Sequence, residues 1–242
     1  MADLPYATAL IVGAGPGISA SLARSLRSAG LTVGLAARNV EKLAPLAAEI
    51  GATTFAADAA DPDAVARLFD EADAKIGVPD LVVYNPSARV RGRIVDIDAE
   101  EVRRSIEISA FGGFLVVQQA ARRMEPKQHG AILLTGATAS TKGFALSSAF
   151  AMGKFGLRAL AQSMARELGP KNIHVAHLII DSGVDTEWVR QRRIEALGPN
   201  ALDDPDLLMP PASVAASYWQ LYQQPRSAWT FELEIRPFGE KW

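Results

Sequence analysis

The chain has 242 residues, 49% of them hydrophobic and 21% charged, and a formal net charge of −2. That balance supports a sizeable core and leaves no basic footprint for nucleic acid or an anionic membrane surface. The absence of cysteine excludes disulfides, thiolate catalysis and zinc–thiolate sites. His129, His174 and His177 have no metal-ligand spacing with one another or with a glutamate, so no metal is expected. No cationic start leads into an apolar signal core, and no uncharged apolar run reaches bilayer length. A cytoplasmic protein is the expectation.

In chain order, Ala7–Val12 (ATALIV) reads as a buried strand ending at a glycine turn. Ile18–Ala29 follows with Leu22, Ala23 and Leu26 at helical spacing. Leu31–Ala37 is a second buried strand, Asn39–Glu49 a helix and Thr53–Ala57 a short strand. Asp61 caps a helix over Pro62–Lys75, whose Val65, Leu68 and Phe69 face inward. Leu81–Tyr84 is the fourth strand. Asp98 followed by Glu101 fits a capping box opening a long helix that runs through Phe114 to Met124. Ala131–Thr135 is a fifth strand, Phe150–Leu168 a long helix and His174–Ile180 a sixth strand. Ala212–Leu221 is helical and Phe231–Ile235 is the last strand. Continuously apolar strands alternating with helices predict a Rossmann-type, doubly wound parallel sheet with helices on both faces. No repeat or linker divides the chain, so a single domain over residues 1–242 is expected.

Ligands of such sheets sit beyond the carboxyl ends of the strands. Gly13, Gly15 and Gly17, with Ile18 opening the helix, occupy the turn after the first strand. Glycine allows positive φ and close approach of the backbone to a pyrophosphate, which a helix N-terminus stabilises. At the end of the second strand stand Ala37 and Arg38, with no acid before Glu41. A carboxylate there binds a ribose 2′-hydroxyl, whereas a guanidinium suits a 2′-phosphate. NADP(H) is therefore expected, with NAD(H) second.

These features resemble the short-chain dehydrogenase/reductase family over nearly the whole chain. Gly13 and Gly17 match its Gly-x-x-x-Gly-x-Gly turn, with Ser19 in place of the last glycine. DAAD resembles Asp-Val-x-Asp, which implies that Asp58 lies near the adenine amino group. YNPSA resembles Asn-Asn-Ala-Gly, with Asn85 at the second asparagine and Ser87 at the glycine. FAMGK, Phe150 to Lys154, resembles Tyr-x-x-x-Lys with phenylalanine for tyrosine. Counting from the lysine puts Ala137 at the family's serine, and IEISAFGGF puts Ser109 at its asparagine. The resemblance thus implies that Lys154 holds the nicotinamide ribose and is the one catalytic-type residue retained. DSGVDT implies that Thr186 contacts the nicotinamide amide and that a substrate lid occupies about 185–211, with Trp188, Val189, Leu197 and Leu207 as apolar wall. It also implies a homodimer or homotetramer through the helices around Phe114–Met124 and Leu157–Leu168.

Phenylalanine and alanine donate no proton, so ordinary alcohol–carbonyl chemistry is expected to be weak or absent. Thr138, Ser140, Ser147 and Ser148 are nearby hydroxyls better suited to loop and cap roles, and Tyr84 reads as a packing residue. Arg89, Arg91, Arg93, Arg190, Arg192 and Arg193 border the mouth and offer charge for an acidic group or simply meet solvent. Two readings stand: an oxidoreductase with altered chemistry, including reduction of an enoyl thioester, and a non-catalytic NADP(H)-binding sensor or partner subunit. The small-molecule substrate is open; neither nucleic acid nor membrane is an expected partner.

Overall fold

A computed structural model describes residues 6–240. Seven parallel strands run β1 (Thr8–Val12), β2 (Thr32–Ala37), β3 (Thr53–Ala56), β4 (Leu81–Tyr84), β5 (Gly130–Thr135), β6 (Ile173–Ile180) and β7 (Glu232–Ile235). Their order across the sheet is β3-β2-β1-β4-β5-β6-β7. The chain reverses direction of growth between β1 and β4, where Val12 pairs with Tyr84. Two strand ends splay apart at such a point and leave a crevice above the sheet.

The helices are α1 (Ile18–Ser28), α2 (Ala44–Ile50), α3 (Pro62–Ile76), α4 (Ala99–Ile106), α5 (Gly112–Met124), α6 (Ser148–Leu168), α7 (Glu187–Leu197) and α8 (Pro211–Tyr222). Strand alternation sends Ala9 and Ile11 into one core, with Leu22 and Leu26 of α1 and Val214, Tyr218 and Leu221 of α8. Leu10 and Val12 point the other way, to Val65 and Phe69 of α3, Val116 and Val117 of α5 and Leu157 of α6. The central strands β1, β4, β5 and β6 are thus covered on both sides, the condition for an apolar run to stay out of water. No helix among the described residues is long and apolar enough to cross a membrane.

The expected elements occur, with shifts at their ends. Residues Glu41–Leu43 form a tight 3-10 turn, so α2 starts five residues after the expected Asn39. The Asp98 cap is half a capping box: its carboxylate accepts from the Glu101 N–H at 2.9 Å. The long helix expected beyond it is broken by a π-helical turn, Glu107–Phe111, that separates α4 from α5. Such an insertion displaces the helix face and is common at functional sites. Here it brings Ser109 inward. A Cβ placed on Gly153 of α6 would lie 2.7 Å from the Ser109 Cβ, so α6 approaches the turn through a glycine.

Candidate functional site

The turn after β1 is built so that its backbone, not its side chains, faces the crevice. Gly13 has φ +78°, and a Cβ there would sit 2.6 Å from the Pro86 ring. No other residue fits so close to the end of β4. The N–H groups of Gly13 and Ala14 both donate to the Ala36 carbonyl at 2.9 Å, bending the chain away from β2. A Cβ on Gly15 would meet nothing within 4 Å, so this position opens onto the crevice. No side chain caps α1 at Gly17, which leaves the N–H groups of its first turn available to an anion. Ile18 begins the helix and packs against the core.

Ser19, the residue at the family's third glycine, is buried and turned inward. Its hydroxyl donates to the Gly13 carbonyl at 3.4 Å and accepts from the Asn85 amide at 3.0 Å. That amide also donates to the Gly13 carbonyl at 3.2 Å. The extra hydroxymethyl therefore ties the turn to the end of β4 and leaves the crevice clear.

From this turn a cleft of about 790 Å³ extends past Arg38, Asp58, Asn85 and Ser87 to Trp188. Arg38 is exposed at its rim and makes no hydrogen bond or ion pair among the described residues. Asp58 accepts from the Ala60 N–H at 3.0 Å and is ion-paired with Arg104 of α4. Partial burial raises the Asp58 pKa, but the bonds from Ala60 and Arg104 and the charge of Arg38 outweigh it and hold the carboxyl below its ordinary value. Arg104 carries no motif, and nothing in the sequence pairs it with Asp58.

Beyond the cleft lies a smaller cavity of about 260 Å³, lined by Arg89, Arg91, Ala137, Thr138, Phe144, Ser147 and Phe150 among others. Phe150 and Lys154 are one helical turn apart on α6 and face the same way. Phe150 packs with Ala137, Ala139 and Ala151 in a small apolar cluster. Lys154 is only 2% exposed and donates from Nζ to the Thr135 carbonyl at 2.8 Å. Burial, and then the charge of Arg89, lower its pKa from 10.5 to about 7. The Arg89 guanidinium lies over the Phe150 ring, 4.5 Å from its centre.

Geometry of this kind is found in a known family. Its profile, described as short chain dehydrogenase, matches residues 7–196. The chain belongs to the short-chain dehydrogenase family. It is 43% identical to a short-chain dehydrogenase from Rhodopseudomonas palustris, covering 96% of this chain and 99% of that one with a TM-score of 0.81. A metagenomic short-chain oxidoreductase solved in complex with NADP is 25% identical, with 97% and 98% of the chains covered and a TM-score of 0.82. The 3-dehydrosphinganine reductase TSC10B of Arabidopsis thaliana is 30% identical over 190 residues, 75% of this chain and 56% of that relative.

Within the short-chain dehydrogenase fold, the residues of interest do not all meet. Gly13, Gly15, Arg38, Asp58 and Asn85 share the larger cleft, and Ala137 and Phe150 share the smaller cavity. Lys154 lies behind these surfaces. Ser109 is wholly buried, and its hydroxyl accepts from the Ala88 N–H at 3.4 Å. Thr186 caps α7, accepting from the Val189 N–H at 3.3 Å, and its methyl would lie 2.9 Å from a Cβ on Gly17. Tyr84 is buried and donates to the Ile108 carbonyl, with burial and then Asp58 raising its pKa far above the ordinary phenol range. Ser140 is also consumed: it accepts from the Ala137 N–H at 3.2 Å and bonds His177 Nε2 at 3.2 Å. Burial holds His177 down to about 3, with Lys154 and Arg158 adding to the effect. Thr138, Ser147 and Ser182 carry the hydroxyls on the smaller cavity, and the Ser182 hydroxyl donates to the Leu207 carbonyl at 3.1 Å.

The Lys154 ammonium gives a stability prediction with a definite sign. Folded protein loses this proton near pH 7 and unfolded chain holds it to about pH 10.5, so the fold gains stability as pH rises between them. Measured by denaturant titration without added nucleotide, wild type should gain roughly a few kcal/mol over Lys154→Met between pH 7 and pH 10. The difference should be flat below pH 6. A difference independent of pH across the alkaline range would show that the ammonium is not desolvated.

Proposed function

We propose that this short-chain dehydrogenase is an NADP(H)-binding oxidoreductase whose reaction centre is cationic rather than phenolic, with ordinary alcohol–carbonyl activity weak or absent. The observation that carries this reading is the stack of Arg89 on Phe150 above a buried Lys154. The open Gly15, the uncapped start of α1 and the volume of the larger cleft fit a nicotinamide dinucleotide. Arg38, unpartnered at the rim, suits a 2′-phosphate better than a 2′-hydroxyl. The complex with NADP of the 25% identical metagenomic relative supports binding of a nicotinamide dinucleotide. When bound, the nicotinamide supplies or accepts a hydride.

The chain's own residues then set what that hydride can do. Loss of a positioned general acid costs about 10²–10⁴ in rate, and loss of one oxyanion donor about 10²–10³. The two do not simply multiply when the groups act together. Replacing the polar pair by Phe150 and Ala137, which pack on each other, leaves no orphaned partner, so the fold tolerates the loss. Thr138 and Ser147 are aliphatic hydroxyls, too weakly acidic to act as a phenol does.

Reduction of a conjugated double bond, as in an enoyl thioester, asks less of the site. Hydride adds to the β-carbon, charge moves to the carbonyl oxygen, and a solvent proton reaches the α-carbon. The Arg89 guanidinium can stabilise that oxygen without giving up a proton. The lack of a hydroxyl at Phe150 also favours a second reading, a non-catalytic NADP(H)-binding sensor or partner subunit. We further propose self-association through Phe111, Phe114, Met152 and Phe155, which are 42–48% exposed along the π turn, α5 and α6. Sedimentation as a monomer would contradict it.

The double variant Phe150→Tyr, Ala137→Ser tests the chemical reading. With NADPH, the wild type should reduce simple ketones at least about 10²-fold more slowly than the double variant. Ketone reduction by the wild type as fast as by the variant would overturn the reading. Turnover of a conjugated enoyl thioester by the wild type would favour the enzyme over the sensor.

A further inference from the structure

The six arginines around the mouth divide into two sets once their partners are known. Arg93 is ion-paired with Asp96 at 3.5 Å, and Arg190 with Asp185. Arg193 donates to the Ala201 carbonyl at 3.0 Å. Arg89, Arg91 and Arg192 have no carboxylate partner and no hydrogen bond among the described residues. Two of these three share a cavity. Arg89 and Arg91 line the smaller cavity, and Arg192 is stacked over Trp188 of α7, 5.0 Å from the ring centre.

Arg89 is also held in place rather than free to swing into water. The Ser105 hydroxyl donates to the Ala88 carbonyl at 2.9 Å, and the Ser109 hydroxyl accepts from the Ala88 N–H. Gly92 donates to the Leu146 carbonyl at 3.2 Å. The π turn that disrupts the α4–α5 helix thus anchors the backbone from which Arg89 projects. Phe150 then fixes the side chain by stacking. Although Arg89 as a residue is exposed, its charged end sits in a pocket: desolvation, then Arg192 and Arg91, lower its pKa while leaving it charged.

Arg89 and Arg91 share this cavity without a counter-charge and repel each other, and the charge of Arg192 adds to the effect on Arg89. An oxyanion entering the cavity relieves that repulsion and gains charge-assisted hydrogen bonds. The opposite wall is apolar, formed by Ala137, Ala139, Phe144 and Ile180, and the space of about 260 Å³ admits only a small body. We infer that the substrate of this site is a small organic anion, an apolar fragment bearing a carboxylate or phosphate that Arg89 and Arg91 receive. This rests on the oxidoreductase reading above. Arg89 both lines this cavity and stacks on Phe150.

Calorimetric titration of the NADPH-loaded protein tests this with crotonate, its neutral isostere crotonamide, and methyl phosphate. At least one of the two anions should bind at least about tenfold more tightly than crotonamide, weakening as salt rises. Preference for crotonate would assign a carboxylate-bearing substrate, and preference for methyl phosphate a phosphate-bearing one. Arg89→Gln and Arg91→Gln should each lose about tenfold or more in anion affinity. Arg93→Gln, whose arginine is already paired, should lose nothing. Equal binding of crotonate, methyl phosphate and crotonamide, or no binding of any, would overturn the inference. So would equal losses in Arg89→Gln and Arg93→Gln. NADPH titrated alone into the same variants keeps the two readings apart: its binding should survive Arg89→Gln, and its absence in wild type would count against the dinucleotide site instead.

Discussion

A lysine ammonium that keeps 2% of its surface in water, with one backbone carbonyl to bond, is the constraint to which the reaction centre answers. Burying a charge without a counter-charge is costly, and the group responds by giving up its proton more readily. Lys154 has no carboxylate beside it; its electrostatic neighbour is another cation, Arg89. Everything around it follows from accommodating that position. Thr135 turns its carbonyl inward at the end of β5, Phe150 roofs the same helix face, and Arg89 finds its attraction in a ring rather than in an acid. Groups perturbed in this way cluster at functional sites.

The second organising contact is between the first and fourth strands. Gly13, Ser19 and Asn85 form a closed set of hydrogen bonds, and Pro86 packs where a Cβ on Gly13 would stand. The β1 turn and the β4 end are therefore one rigid unit. Behind it, Tyr84 occupies space that only glycine leaves: a Cβ on Gly112 would lie 2.5 Å from its hydroxyl oxygen. The bulky YNPSA segment is matched by the two glycines that open α5. Rigid positioning of this sort fixes backbone donors at the distance a phosphate requires, without a mobile side chain.

Much of this was legible in the residues. The apolar strands ATALIV and LVVY could not be half-exposed, so a doubly covered parallel sheet followed, and the glycine turn marked its switch point. FAMGK pointed to a site only through its resemblance to the family's Tyr-x-x-x-Lys. What stayed hidden depends on distance through space. The Arg104–Asp58 pair joins residues 46 apart in the chain, and neither α4 nor the DAAD segment signals the other. Nothing in EISAF marks a π turn, because its extra backbone residue is stabilised by packing of Ser109 against Gly153. The influence of Arg192 on Arg89 was likewise invisible, since the two lie far apart in the chain. Periodicity reports which face a residue takes; it does not report which partner waits there.

The proposed dinucleotide cradle is the turn after β1 with Arg38 at the rim of the larger cleft. Calorimetric titration of wild type and Arg38→Ala with NADPH and with NADH tests that cradle directly. Micromolar binding of NADPH, much weaker binding of NADH, and a collapse of that difference in Arg38→Ala are the predicted result. Failure of wild type to bind either nucleotide, or equal affinity for both, would contradict it.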